Sequence, residues 1–229
     1  MSQVASERRG ERRLRQEAQR AGILEAAADA IAENGFHGMT MRGLARATGR
    51  GLASFYNYFT SKEDVLFSLQ TGAFETLNGS LKAALEEVDD PVERLYIFVL
   101  NHVRYLAQNR SVMRVLVHEA AALPPARRKK VRLLKEAYFQ TVRDIVASIL
   151  ADGCRAPGAS GTATLDAAEI ERITYSVFGM LNWSYGWYEP ELHGTPEDVA
   201  RTIHGVALCG LVARCPQRPA SLIERRTPA

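Results

Sequence analysis

The 229-residue sequence has little cysteine, no long apolar run and almost no strand signal, and each absence removes a class of protein. Its three cysteines, Cys154, Cys209 and Cys215, form no CxxC pair and leave an odd count. Neither a disulfide framework nor a thiolate metal site is expected, and a reducing compartment is the simpler setting. The longest apolar stretch, Ile203 to Ala213, contains His204 and falls well short of the ~18 residues that span a bilayer. The Arg-rich N-terminus does not read as a secretory signal, so a cytoplasmic protein with no membrane partner is expected.

Catalytic signatures are missing too. His118-Glu119 has no second histidine at position 122, so no zinc-protease helix is formed. Gly158-Ala159-Ser160-Gly161 is not a GxSxG elbow and has no strand before it. Gly49-Arg50-Gly51 follows a helix rather than a strand, which argues against a dinucleotide fingerprint. The five histidines show no ligand spacing, so no metal, cofactor or enzyme activity is expected.

What remains is an ordinary globular composition, 46% hydrophobic and 24% charged, with helical periodicity nearly throughout. The net charge of +3 is unevenly spread. Residues 1–62 hold ten Lys and Arg against six Asp and Glu, whereas the rest is close to balanced. A positive N-terminal end suits phosphates. Residues 1–15, with Arg8, Arg9, Arg12, Arg13 and Arg15, read as a flexible arm.

Three helices then follow within 45 residues. Leu24, Ala27, Ala28 and Ile31 form the stripe of the first, which Asn34-Gly35 ends. Thr40 is the expected N-cap of a short helix over 41–47, and Gly49 and Gly51 bracket a turn. A second short helix over 52–58 places Phe55 and Phe59 on an apolar back. Its front offers Leu52, Ala53, Ser54 and Asn57, with Tyr58 at the margin. This spacing predicts a helix-turn-helix whose second short helix can enter a major groove. Three ordinary packed helices would also satisfy it.

Ser61 caps the next helix, with Asp64 three residues on. Longer helices are expected over about 91–109, 111–122, 126–151, 166–187 and from Pro196, with a mobile loop over 153–164 and a disordered tail from Pro216. The fold class is therefore all-α, about nine helices. Residues 1–66 form the arm and helix-turn-helix, and residues 67–229 a helical effector-binding and dimerisation domain. Tyr105, Met113, Tyr138, Phe139, Phe178, Met180, Asn182 and Trp183 are the candidate effector contacts, although such aromatic and Met stripes more commonly form plain core.

Residues 20–66 resemble the DNA-binding domain of the tetracycline-repressor family. The matching positions are Ile23-Leu24, Ala26-Ala27, Gly35-Phe36, Thr40, Leu44-Ala45, Gly49, Phe55-Tyr56, Phe59 and Ser61-Lys62-Glu63. The resemblance implies a repressor that a hydrophobic small molecule releases from a palindromic double-stranded operator. It implies phosphate contacts from Thr40, Tyr56 and Lys62, and base-edge contacts from Leu52, Ala53, Ser54 and Asn57. Arg42, Arg50 and Tyr58 complete the DNA-facing set. Three positions depart from the family pattern: Gly51 where a Ser or Thr cap is common, Arg50 where an apolar residue is common, and Gly43 in place of an acid.

The same resemblance implies a homodimer paired through the last two helices, and the final helix is apolar nearly all round from Ile203 to Ala213. The segment from Phe178 to Tyr188 is similar to a signature of this family's regulators of fatty-acid and steroid-ring catabolism, which sense acyl-CoA thioesters. Arg127, Arg128, Lys129, Lys130 and Arg132 are candidate cations for CoA phosphates, or a solvated helix face. A drug-like or other apolar effector is the alternative, and after it a helical interaction protein that does not bind DNA.

Overall fold

A computed structural model describes residues 2–153 and 166–213, and all regular structure among them is helical. Two compact units divide the chain: Met1–Ala73 with Arg110–Arg132, and Phe74–Asn109 with Leu133–Ala229. The first unit holds α1 (Ser2–Asn34), α2 (Met41–Ala47), α3 (Leu52–Tyr56), the start of α4 (Lys62–Ala84), α6 (Arg110–His118) and the start of α7 (Pro125–Gly153). The second holds the rest of α4 and α7 with α5 (Pro91–Gln108), α8 (Ala167–Asn182), α9 (Ser184–Trp187), α10 (Pro190–His193) and α11 (Pro196–Ala213).

Five helix starts are set by the side chains that the sequence places there. Thr40 accepts from Gly43 N–H, Asp90 from Val92 N–H and Asp166 from Ala168 N–H, each satisfying a donor that has no intrahelical partner. At α4, Ser61 accepts from Asp64 N–H while Asp64 accepts from Thr60 N–H. Thr195 and Asp198 make the same reciprocal pair at α11. Gly35 ends α1 and Gly49 turns the chain between α2 and α3, at φ of +72° and +67°, where a side chain would be strained.

The described residues form eleven helices rather than about nine, with α3 ending at Tyr56 rather than 58 and α6 at His118 rather than about 122, and two further elements differ from the sequence expectation. The stretch read as a flexible arm is, from Ser2 onward, the beginning of α1. It has no proline and one glycine among good helix formers, and Arg13 and Glu17 pair at 2.9 Å one turn apart. The helix expected to run to Trp187 stops at Asn182. Ser184 Oγ donates to Met180 O, the carbonyl that a continuing helix would offer to its backbone N–H. The expected loop over 153–164 lies, after Gly153 in α7, outside the described residues, as does the tail from Pro216.

The core of the first unit is built from Ile23, Ala27, Ala28 and Ile31 of α1, Phe36, Leu44, Phe55, Phe59, Val65 and Leu66, all buried. α6 packs on α1, and Glu119 just beyond it accepts from Phe36 N–H at 3.0 Å. In the second unit α5 presents Leu95, Phe98, Val99, His102, Val103 and Leu106 inward, and α11 packs against it.

Phe55 has no exposed surface and holds α3 in place, whereas Ser54 beside it is exposed. Phe55→Ala should destabilise the protein by about 3–5 kcal/mol. Ser54→Ala should stay within about 0.5 kcal/mol. Urea unfolding followed by circular dichroism would measure both.

Candidate DNA-binding and effector sites

In the first unit α3 has two unlike faces. Phe55 points inward and stacks obliquely on Phe59, ring centroids 5.7 Å apart. Ala53, Ser54 and Asn57 are exposed, Tyr56 is 48% exposed, and Leu52 is half-buried at their edge. Thr40 and Arg42, at the start of α2, lie toward solvent as well, Thr40 exposed and Arg42 at the helix's first turn. A short helix with small and polar side chains outward can approach base edges without steric conflict.

Three of the expected DNA-facing residues have structural partners of their own. Arg50 lies over the ring of Tyr58 at 5.0 Å, and Tyr58 donates its hydroxyl to Gln19 Oε1 at 2.7 Å. These contacts tie the turn before α3 and the residue after it to α1. Gly51 gives α3 no side-chain cap. Lys62 is turned inward: its Nζ donates to the carbonyls of Phe36, His37 and Met39 at 3.2–3.4 Å and sits 4.7 Å from the Phe36 ring centroid. Three N–H donors meet three carbonyls, so the ammonium holds the loop between α1 and α2.

The second unit contains a cluster of rings from three helices: Phe98 and His102 of α5, Tyr138 and Phe139 of α7, and Phe178 of α8. Phe98 lies 5.4 Å from Tyr138 and 5.6 Å from Phe178, and Phe139 stacks on Phe178 at 5.7 Å. Tyr138 and His102 are buried, while Phe139 and Phe178 are half-buried. Tyr105 is half-buried one turn beyond His102, and burial pushes its hydroxyl up to about 12. Burial likewise raises Tyr138, opposed by a hydrogen bond from Asn101.

The cluster therefore brings together Tyr138, Phe139 and Phe178 of the expected effector set. Met113 is buried in the first unit, on α6. Asn182 is half-buried at the end of α8, and Trp183 is 65% exposed beside Tyr185. Of the candidate cations, Arg127 pairs with Asp64 at 3.3 Å and lies over Phe67, and Arg128 donates to Leu123 O. Sequence reasoning missed Phe98 and His102. Their spacing from Leu95 and Leu106 on α5 is the signal, but a histidine in an apolar stripe reads as core.

His102 is the chemically unusual member. It is 2% exposed, and burial alone lowers its imidazole from 6.5 to about 4. Its Nδ1 faces Tyr138 Oη at 3.4 Å, and its Nε2 has no hydrogen-bond partner. Among the described residues no group of three His, Cys, Asp or Glu side chains is placed to hold a metal ion. No helix among them is long and apolar enough to cross a membrane.

An exposed, small-residue face on the second short helix of a helix-turn-helix, beside a second helical unit with an aromatic core, is the architecture of an all-α DNA-binding regulator. Residues 23–69 match the family described as "Bacterial regulatory proteins, tetR family", and residues 88–211 match "Tetracyclin repressor-like, C-terminal domain". The chain belongs to the tetracycline-repressor family of transcriptional regulators, and it is not an enzyme. It is 27% identical over 131 residues to the fatty acid metabolism regulator protein of Bacillus subtilis. That match covers 57% of this chain and 66%, just under two thirds, of the Bacillus protein. The crystal structure of PfmR from Thermus thermophilus superposes with a TM-score of 0.68 at 29% identity, covering 86% of this chain and 96% of that one. AibR, crystallised with isovaleryl coenzyme A and operator DNA, shares the fold, with a TM-score of 0.67 at 23% identity, covering 82% and 97%.

Two outcomes follow from this geometry. Lys62→Met should destabilise the protein by about 1–2 kcal/mol by removing the donor that His37 O and Met39 O share with Phe36 O, whereas Arg42→Met should not. Thermal unfolding compares them. For His102, the unfolded chain takes up a proton near 6.5 and the folded protein only near 4. Between those values the unfolded state binds more protons, so stability present above the window is lost as pH falls through it. The full loss is about 3 kcal/mol, seen as a fall in urea midpoint that His102→Phe does not show.

Proposed function

We propose that this regulator is a repressor that binds a palindromic operator as a homodimer and is released from it by an acyl-CoA thioester. The carrying observation is the ring cluster of Phe98, His102, Tyr138, Phe139 and Phe178, an apolar interior with a single open polar group. Apolar walls with few polar atoms are how helical proteins hold hydrophobic ligands. The name of the Bacillus subtilis relative and the isovaleryl coenzyme A bound to AibR favour a fatty acyl thioester over a drug-like ligand. Residues 1–66 then form the DNA-binding part and residues 67–229 the effector and dimer part, in the cytoplasm.

Dimerisation is supported by apolar side chains left open on the late helices. Trp183, Leu192 at 73% exposure and Val206 at 59% lie on or between α8 and α11. Large exposed apolar side chains grouped on neighbouring elements mark an interface. Two recognition helices in a two-fold dimer would meet half-sites about 34 Å apart. Thr40, Arg42 and Tyr56 fix the register through phosphates, and Ala53, Ser54 and Asn57 read base edges. Lys62 acts behind them by fixing the loop that precedes Thr40.

Gel-shift titrations on the promoter-proximal palindrome test this reading. Tyr56→Phe should weaken binding to every sequence about fivefold, the worth of one phosphate contact. Asn57→Ala should change the order of preference among operator variants, by about 1–3 kcal/mol at one base pair. Identical behaviour of the two variants would overturn the assignment of contacts. Failure of every acyl-CoA to shift the complex would overturn the effector.

A further inference from the structure

A run of hydrogen bonds inside the second unit has one open end. Tyr138 pairs with His102, and beside them the Asn101 amide donates to Leu77 O at 3.3 Å. A phenol is a stronger donor than a neutral imidazole, so its hydrogen is directed at His102 Nδ1, 3.4 Å away. A neutral imidazole that accepts at Nδ1 carries its hydrogen at Nε2.

Nε2 is fully buried, and among the described residues no group accepts from it. The rings around His102 belong to Phe98, Tyr138 and Phe178, with centroids 6.2, 6.0 and 6.4 Å from its own, and none offers an oxygen in that direction other than the hydroxyl already used. A buried donor left unmade costs the full loss of its hydration, so proteins rarely keep one without use. Phe139 and Phe178, half-buried and nearly parallel at 16°, form a flat apolar wall on the same cluster.

We propose that His102 Nε2–H is the specificity-determining donor of the effector site and binds the carbonyl oxygen of an acyl thioester, with the acyl chain against Phe98, Phe139 and Phe178. The assignment rests on the acyl-CoA reading above. A thioester oxygen accepts but cannot donate, which matches a group that can only donate. It is also uncharged, and a histidine kept neutral by burial has no charge to offer a free carboxylate in apolar surroundings. Fatty acids without CoA are thereby disfavoured.

The test needs only the full-length protein and matched probes. Butyryl-, octanoyl- and palmitoyl-CoA are titrated calorimetrically beside the corresponding S-alkyl-CoA thioethers, which keep chain and CoA but lack the carbonyl oxygen. Octanoate is titrated as the free acid. The best thioester should bind about tenfold tighter than its thioether, the ratio for one buried hydrogen bond made or left unmade. His102→Phe should bind the pair equally, and His102→Gln, which keeps an N–H, should recover part of the preference. Equal binding of thioester and thioether by the wild-type protein overturns the role of His102 while leaving the acyl-CoA reading intact. A preference that survives in His102→Phe does the same, and tighter binding of octanoate overturns the thioester. Binding of no CoA compound overturns both readings. The wild-type comparison decides the matter even if His102→Phe does not fold.

Discussion

A recognition helix of five residues cannot stand by itself, and the DNA-binding part of this protein depends on that constraint. Isolated helices of such length do not persist in water, because nucleation is unfavourable and too few bonds follow it. α3 exists because Phe55 is fully buried and Phe59 follows one turn later, packing the helix onto α1 and α2. Its ends are held by side chains from elsewhere. Gly51 supplies no cap, and the neighbouring Arg50 instead lies on Tyr58, which in turn reaches Gln19 of α1. Arg50 departs from the apolar residue usual in this family, yet its cation meets the face of an aromatic ring, which attracts it and anchors the turn. Holding the helix from behind leaves the side chains of Ala53, Ser54 and Asn57 turned to solvent, the condition for facing DNA.

The same division of labour explains Lys62. A lysine ammonium has three donors and no acceptor, so it is fully used only where three acceptors converge. The loop between α1 and α2 provides them in Phe36, His37 and Met39, because Gly35 reverses the chain with a positive φ and takes these carbonyls out of the helix; Phe36 O also accepts from Met39 N–H in the turn. Glu119 treats the N–H side of the loop as Lys62 treats its carbonyl side, accepting from Phe36. Thr40, which caps α2, is thus presented by a loop whose polar backbone is satisfied from two directions.

Much of this was legible in the residues and some was not, for physical reasons. Thr40 and Ser61 could be read as caps because capping is local, requiring one oxygen and a donor two or three residues away. The apolar stripe of α1 and the back of α3 follow from periodicity. The end of α8 did not, because Trp183 keeps helical dihedrals and a bond to Gly179 O, so the apolar periodicity runs on through the break. The helical start of α1 was hidden by its charge, since a segment with no apolar face reads as disordered until its own turn-to-turn ion pairs are counted. The inward turn of Lys62 depends on carbonyls 23 to 26 residues earlier, a non-local fact that spacing alone cannot supply.

Lys62 and His102 show opposite ways to place a polar group among apolar neighbours. Lys62 is half-buried with a carbonyl for each of its donors, and the result is a fixed loop. His102 is buried more deeply and has half of what it needs: Tyr138 serves Nδ1, and nothing serves Nε2. If stability alone shaped the second unit, the position would suit phenylalanine or leucine, since its neighbours Phe98, Val99 and Val103 on α5 are apolar and buried. Because a buried imidazole is also uncharged well below neutral pH, it can hold a directional donor in an apolar interior without a counter-charge, which neither lysine nor arginine can do there. The unit thus gives up folding energy at one atom, and under the proposed effector reading that atom tells a ligand with a carbonyl oxygen from one without it.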